Sequence, residues 1–160
     1  MRKTFKLGLL GCFLAGFAVA ASAGTDTTTF QVKITITESC DIHTTAATDV
    51  DFGSVARSAT ASQATGALNV NCTNGTAYSI GLNNGANYNT TRRMTDGTNF
   101  IGYGLYRSSG TTQPWDDASN LYSGTGTGST QSVSVYGTVS GSTNVPAGSY
   151  ADTVTATVTY

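Results

Sequence analysis

Residues 27–40 read Thr-Thr-Thr-Phe-Gln-Val-Lys-Ile-Thr-Ile-Thr-Glu-Ser-Cys, and their alternation governs how the rest of the chain is read. Phe30, Val32, Ile34 and Ile36 fall on one face and Gln31, Lys33, Thr35 and Thr37 on the other, the period-two pattern of a strand with one buried face. Between Phe30 and Thr37 no Gly, Pro, Asn or Asp turns the chain, so this strand does not readily fold back as a hairpin. At about 3.3 Å per residue, Phe30 to Cys40 spans about 35 Å, the width of a small domain. An apolar strand of that reach needs a groove. β-Strand addition at another subunit's open edge supplies one: main-chain bonds give affinity and alternate side chains fill pockets. Burying Phe30, Val32, Ile34 and Ile36 is worth about 6–12 kcal/mol gross. The competing reading is an ordinary first strand of a sandwich.

Upstream, Arg2, Lys3 and Lys6 precede an apolar run from Leu7 to Ala21, and Ala21-Ser22-Ala23 is a small-x-small site before Gly24. This is the layout of a secretory signal peptide over residues 1–23, cleaved between Ala23 and Gly24. Leu9-Leu10-Gly11-Cys12 also has the look of a lipobox. The apolar run continues past Cys12, however, which favours the later cleavage site.

Removing 23 of the 160 residues leaves 137, enough for one domain that buries about two-thirds of its unfolded surface. Three of the eight Lys and Arg residues lie in the signal, leaving five against nine acids, a net charge of −4. That balance argues against nucleic acid or an anionic membrane as the main partner. No later apolar run is long enough to span a bilayer. Cys40 and Cys72 are the two cysteines left after processing, and in an exported chain an even pair is read as a disulfide.

Beyond Cys40, short alternating runs recur between turn residues at spacings of about 8–12, the mark of an all-β sandwich. Strands are expected over Thr48–Val55 (short or bulged at Gly53), Ala67–Cys72, Ala77–Leu82, Phe100–Tyr106, Gln131–Val139 and Ala151–Tyr160. Arg92-Arg93-Met94 before Asp96-Gly97 marks a hairpin. Ser108–Gly128 reads as turn and loop. The final strand places Val154, Ala156, Val158 and Tyr160 on one face.

Catalytic and metal-binding readings find little support. His43 stands two residues from Asp41 with no nucleophile elbow. Asp49 with Asp51, and Asp116 with Asp117, lack the twelve-residue calcium-loop pattern and read as solvated loop acids. Gly124 to Gly128 has neither a P-loop lysine nor dinucleotide spacing and reads as a flexible connection. Arg92-Arg93 reads as a solvated pair. Trp115 and Tyr122 read as packing anchors, with stacking on a sugar or partner as the alternative. Asn71, Asn74 and Asn89 begin sequons that matter only where the source glycosylates secreted Asn.

Phe30-Gln-Val-Lys-Ile-Thr-Ile-Thr-Glu-Ser-Cys40, Phe52-Gly53, Asn71-Cys72, Tyr103-Gly-Leu-Tyr-Arg107 and Gly148-Ser-Tyr-Ala-Asp-Thr-Val-Thr-Ala-Thr-Val-Thr-Tyr160 together resemble the spore coat protein U domain, the pilin domain of archaic chaperone–usher systems such as the Csu pili. The resemblance covers nearly all of the chain after residue 23. It implies an incomplete immunoglobulin-like β-sandwich over 37–160 that lacks its last strand, with an N-terminal donor strand over 24–36. A periplasmic chaperone would fill the gap first. At the outer-membrane usher, the donor strand of another copy or a related pilin would then replace it. By the same resemblance, Phe30, Val32 and Ile34 are donor residues and Ile36 lies near the hand-over into the domain. Val154, Ala156, Val158 and Tyr160 form one wall of the acceptor groove, and Cys40 and Cys72 match the family disulfide. The expected role is a non-enzymatic pilus subunit without cofactor, exported through the periplasm to the cell surface and supporting adhesion and biofilm formation. A spore or cell coat protein of the same fold is the alternative, and a secreted sugar-binding or hydrolytic sandwich is the third reading.

Overall fold

The computed structural model describes residues 23–59, 62–139 and 141–160. The signal-peptide reading, apart from Ala23 and Gly24, and the lipobox reading lie outside the described residues. The chain divides into a unit ending at Thr35 and a second unit, Ile36–Tyr160. In the first, residues 23–35 form no strand. The alternation of Phe30, Val32 and Ile34 is present, but it joins no ladder among the described residues. These side chains are 84%, 88% and 85% exposed.

The second unit is all β among its described residues. Its strands are β1 (Cys40–Asp41), β2 (Ser62–Cys72), β3 (Ala77–Leu82), β4 (Arg92–Thr95), β5 (Phe100–Tyr106), β6 (Tyr122–Thr125), β7 (Thr130–Val139) and β8 (Ala156–Thr159). They form a five-stranded sheet ordered β1-β2-β7-β5-β4 and a three-stranded sheet ordered β6-β3-β8, each antiparallel throughout. This is the immunoglobulin-like architecture expected from the alternating runs.

Alternation explains the core. Val70 and Cys72 from β2, Val133 and Val135 from β7, and Tyr103 and Leu105 from β5 meet Tyr78, Ile80 and Leu82 from β3 in one buried cluster. The centre of that cluster is Trp115, fully buried, whose indole Nε1–H donates to the Ile80 carbonyl at 2.8 Å. Its backbone N–H donates to the Leu105 carbonyl at 3.0 Å. The loop tryptophan thus touches both sheets and satisfies its polar atom, as a buried indole must. It is a packing anchor, and Tyr122 stacks on it at 5.8 Å between ring centroids.

Cys40 and Cys72 form the disulfide and are Cα partners across β1 and β2. A two-residue strand contributes few ladder bonds, so the cross-link is what ties β1 to the sheet.

Three expectations are corrected. Thr48–Val55 is not a strand: Thr48 bonds Ala67 in an isolated bridge, and the Asp51 carboxylate accepts the Gly53 N–H to turn the chain. Cβ atoms on Gly66 and Gly137 would collide with Val50 and its neighbours, so this segment crosses the inner face of β2 and β7 where two glycines admit it. The glycine run 124–128 is not a flexible connection, because β6 lies within the expected loop and Gly124 pairs with Tyr78. Side chains at Gly124 and Gly126 would collide with the Tyr78 ring and the Thr73 carbonyl; close approach, which composition does not reveal, requires these glycines. Last, the terminal strand is shorter than expected, since Ala151 joins Thr95 by a bridge and regular pairing begins only at Ala156.

Cys40 and Cys72 are separated by 32 positions, so opening the bridge is expected to cost about 3–4 kcal/mol of stability. Urea unfolding of the Cys40→Ser/Cys72→Ser variant against the unaltered chain measures this directly.

Candidate functional site

β8 is bonded on one side only. Its register sets Ala156 opposite Leu82 and Val158 opposite Ile80, which turns both side chains toward the core. Beyond β3 it has no strand partner among the described residues. Val154, Ala156 and Val158 are therefore half-buried, packed on the core and still partly open. An open cleft of about 450 Å³ lies here, lined by Val154 and Ala156, by the crossing segment 47–52, and by Leu68, Met94, Leu105 and Val135 from the five-stranded sheet. A second cleft shares Val50, Phe52, Met94 and Tyr150 with it and extends past Ile101 and Val139 toward Pro146. Val158 lies further along β8, and Tyr160 stands past its end, 57% exposed. Of the four terminal residues singled out in the sequence, the fold brings Val154 and Ala156 to the cleft.

Ile36, the first residue of this unit, is 70% exposed, and β1 follows at Cys40. The apolar cleft lining is what a closed sandwich would cover with one further strand.

Arg92 corrects the expectation of a solvated pair. It faces inward from β4 opposite Tyr103. Its guanidinium donates to the carbonyls of Asn83 (Nε, 2.9 Å), Leu82 (Nη2, 2.7 Å) and Trp115 (Nη1, 2.9 Å). Burial pushes its pKa down, yet a guanidinium stays charged, and the three carbonyls at the end of β3 and before the loop receive its donors. Arg93 points the other way, its guanidinium 4.1 Å from the centroid of the Phe100 ring, a cation–π contact.

Sequence reasoning passed over Asp152. Its Oδ2 accepts the Tyr103 hydroxyl at 2.6 Å and its Oδ1 accepts the Asn87 backbone N–H at 3.1 Å and Nδ2–H at 3.0 Å. Burial, with the carboxylate beside it, pushes the Tyr103 pKa up. The available signal was that Tyr103 and Asp152 both lie in stretches on which the resemblance rests.

The remaining candidates are placed without chemistry between them. His43 is exposed, with Nδ1 3.9 Å from Asp41 Oδ1. Asp116 Oδ1 accepts the N–H groups of Ala118, Ser119 and Asn120, so it is a loop brace more than a solvated acid. Among the described residues no three His, Cys, Asp or Glu side chains gather as for a metal.

The sequence profile of the Spore Coat Protein U domain matches residues 26–157. Among solved structures, the chain is similar to the CsuC–CsuE chaperone–tip adhesion subunit pre-assembly complex from the archaic chaperone–usher Csu pili of Acinetobacter baumannii. That match is 26% identical with a TM-score of 0.58, and it covers 79% of this chain but only 40% of the other. A chaperone–tip adhesin complex of CFA/I fimbriae biogenesis is 12% identical with a TM-score of 0.38, covering 76% and 41%. No curated protein matches.

Two hairpin and loop acids give the domain a defined acid limb. Backbone N–H donation, first from Asn99 to Asp96 and first from Asn120 to Asp116, holds both carboxyls well below the usual carboxylate range. A depressed native pKa stabilises the fold above the unfolded value near 3.9, and that stabilisation is lost as pH falls through it toward the native pKa. Unfolding midpoints are expected to drop between about pH 6 and pH 3, and to drop less in the Asp96→Asn/Asp116→Asn variant. Urea titrations at the two pH values test this.

Proposed function

We propose, for a chain that belongs to the Spore Coat Protein U domain family, that it is a structural subunit of a surface pilus built by donor-strand complementation. A periplasmic chaperone holds the subunit until an outer-membrane usher joins it to the next. The fibre supports adhesion and biofilm formation, and the subunit carries no catalytic site or cofactor.

One observation carries this reading: four apolar side chains at alternate positions, Phe30, Val32, Ile34 and Ile36, stand 70–88% exposed in a chain whose sandwich, among the described residues, leaves one edge of its last strand unpaired beside a largely apolar cleft. Each feature alone is an aggregation liability. Supplied to one another between copies they are complementary, since a period-two strand adds main-chain bonds along β8 and sets every second side chain into the cleft. The burial, about 6–12 kcal/mol gross, then gives slow dissociation, which holds a fibre together better than equilibrium affinity does. Similarity to a Csu pre-assembly complex of chaperone and subunit supports the chaperone step. Within this reading, Phe30, Val32, Ile34 and Ile36 are the donor side chains. Val154 and Ala156 belong to the acceptor wall, and Val158 and Tyr160 continue it toward the chain end.

Surface-sheared material run unheated on an SDS gel is expected to give a ladder that collapses to monomer on heating and is missing when residues 24–34 are deleted. Thin fibres in negative stain accompany it. A monomer band in both lanes would overturn the proposal and return Phe30–Ile36 to an ordinary strand.

A further inference from the structure

The wall of the cleft raises a physical problem. From Asp152 to Thr155 the chain belongs to no strand, it carries Val154 over an apolar cleft, and nothing in a ladder keeps it from collapsing inward to cover Leu68, Leu105 and Val135. Hydrophobic burial would drive that closure.

What opposes it is a set of polar contacts from the loop after β3. Asn83 donates its N–H to the Thr155 carbonyl at 3.0 Å and accepts the Thr155 N–H on Oδ1 at 2.9 Å. The Ala86 N–H donates to the Thr153 carbonyl at 3.0 Å. Asp152 is held at both carboxylate oxygens, by Tyr103 from β5 on one and by Asn87 on the other. A Cβ on Gly85 would collide with Asp152 Oδ2, so the loop closes tightly over the carboxylate. Arg92, bonded to the Asn83 and Leu82 carbonyls, fixes the loop itself.

We propose that Asp152, gripped by Tyr103 and Asn87, is a positioning residue for the cleft: it pins the segment bearing Val154 and Ala156 so that an incoming strand meets a wall already in place. The proposal rests on the donor-strand reading above. It also gives a task to the Asp152 of the closing Gly148–Tyr160 stretch and to the Tyr103 of Tyr103–Arg107, which meet in one hydrogen bond although 49 residues apart. Asp152 and Tyr103 line the same cleft, so it is the rate of entry, more than the strength of the final contacts, that reports a positioning role. Asp152 acts on the fraction of molecules whose cleft is open, and apparent affinity scales with that fraction.

The test measures uptake of a fluorescent peptide of residues 24–38, in excess, by the full mature chain from Gly24. Asp152→Ala and Tyr103→Phe are expected to slow association by about ten- to a hundredfold, the effect of losing a hydrogen bond to a charged group, with dissociation little changed. Asp152→Asn, which still accepts from Asn87 and donates to the Tyr103 oxygen, is expected to restore most of the rate. Tyr103→Phe keeps its ring in the core and reports even where Asp152→Ala fails to fold. Unchanged association in Tyr103→Phe, or a change confined to dissociation, would overturn the proposal while leaving the donor-strand reading intact. No uptake by the unaltered chain would overturn that reading and the clamp with it.

Discussion

A β-strand bonded on one side has half of its backbone groups unpaired and one flank of its side chains uncovered. β8 is in that condition, and much of the second unit is arranged around it. The three-stranded sheet ends there, the cleft opens there, and the core residues Leu82 and Ile80 depend on Ala156 and Val158 for their cover. A sandwich of this size gains its stability from area removed from water, so one open flank is a direct loss. The compensations are concentrated elsewhere: the long β2–β7 ladder from Ser62 to Val139, the disulfide that retains β1, and Trp115 bonded to both sheets.

Loops do structural work that strands usually do. Arg92 gathers three carbonyls, Trp115 spends its indole donor on Ile80, and Asp96 and Asp116 each organise a turn through backbone N–H groups. Those of Arg92, Asp96 and Asp116 are charge-assisted bonds, stronger than an average neutral pair, and Arg92 acts where β3 ends and β4 begins while Asp96 acts in the β4–β5 hairpin. The loop from β3 to β4, which Arg92 holds, is the one that meets Asp152. The wall of the cleft is therefore supported by hydrogen-bonded polar groups, while Leu68, Leu105, Val135, Val154 and Ala156 give its lining an apolar part.

How much of this was legible follows from the range of each interaction. β3, β5 and β7 could be read nearly to the residue because period-two alternation is local and each run is bounded by turn residues such as Asn83-Asn84-Gly85. The cysteine pair could be read because only Cys40 and Cys72 lie beyond the segment expected to be a leader. Arg92, taken for a solvated charge, could not, since its partners are carbonyls that converge only when the end of β3 and the Trp115 loop meet. The glycines at 124 and 126 looked like slack and are close contacts. Val50 and Phe52 alternate as a strand would, yet they cross the sheet instead of joining it, because Gly66 and Gly137, distant in sequence, leave a passage there.

The amino-acid sequence by itself determined that this is an all-β chain with a pair of cysteines to join at 40 and 72, and with an alternating apolar stretch at Phe30–Ile36 that has no turn with which to find a partner in its own hairpin. These are consequences of side-chain period, residue counts and local turn chemistry, which act over a few residues. Only the tertiary structure decided where the core stops being covered, which of the terminal residues reach the cleft, and that Asp152 and Tyr103 hold its wall. Those outcomes depend on which distant segments become neighbours, and no local pattern encodes the distance between two side chains separated by half the domain.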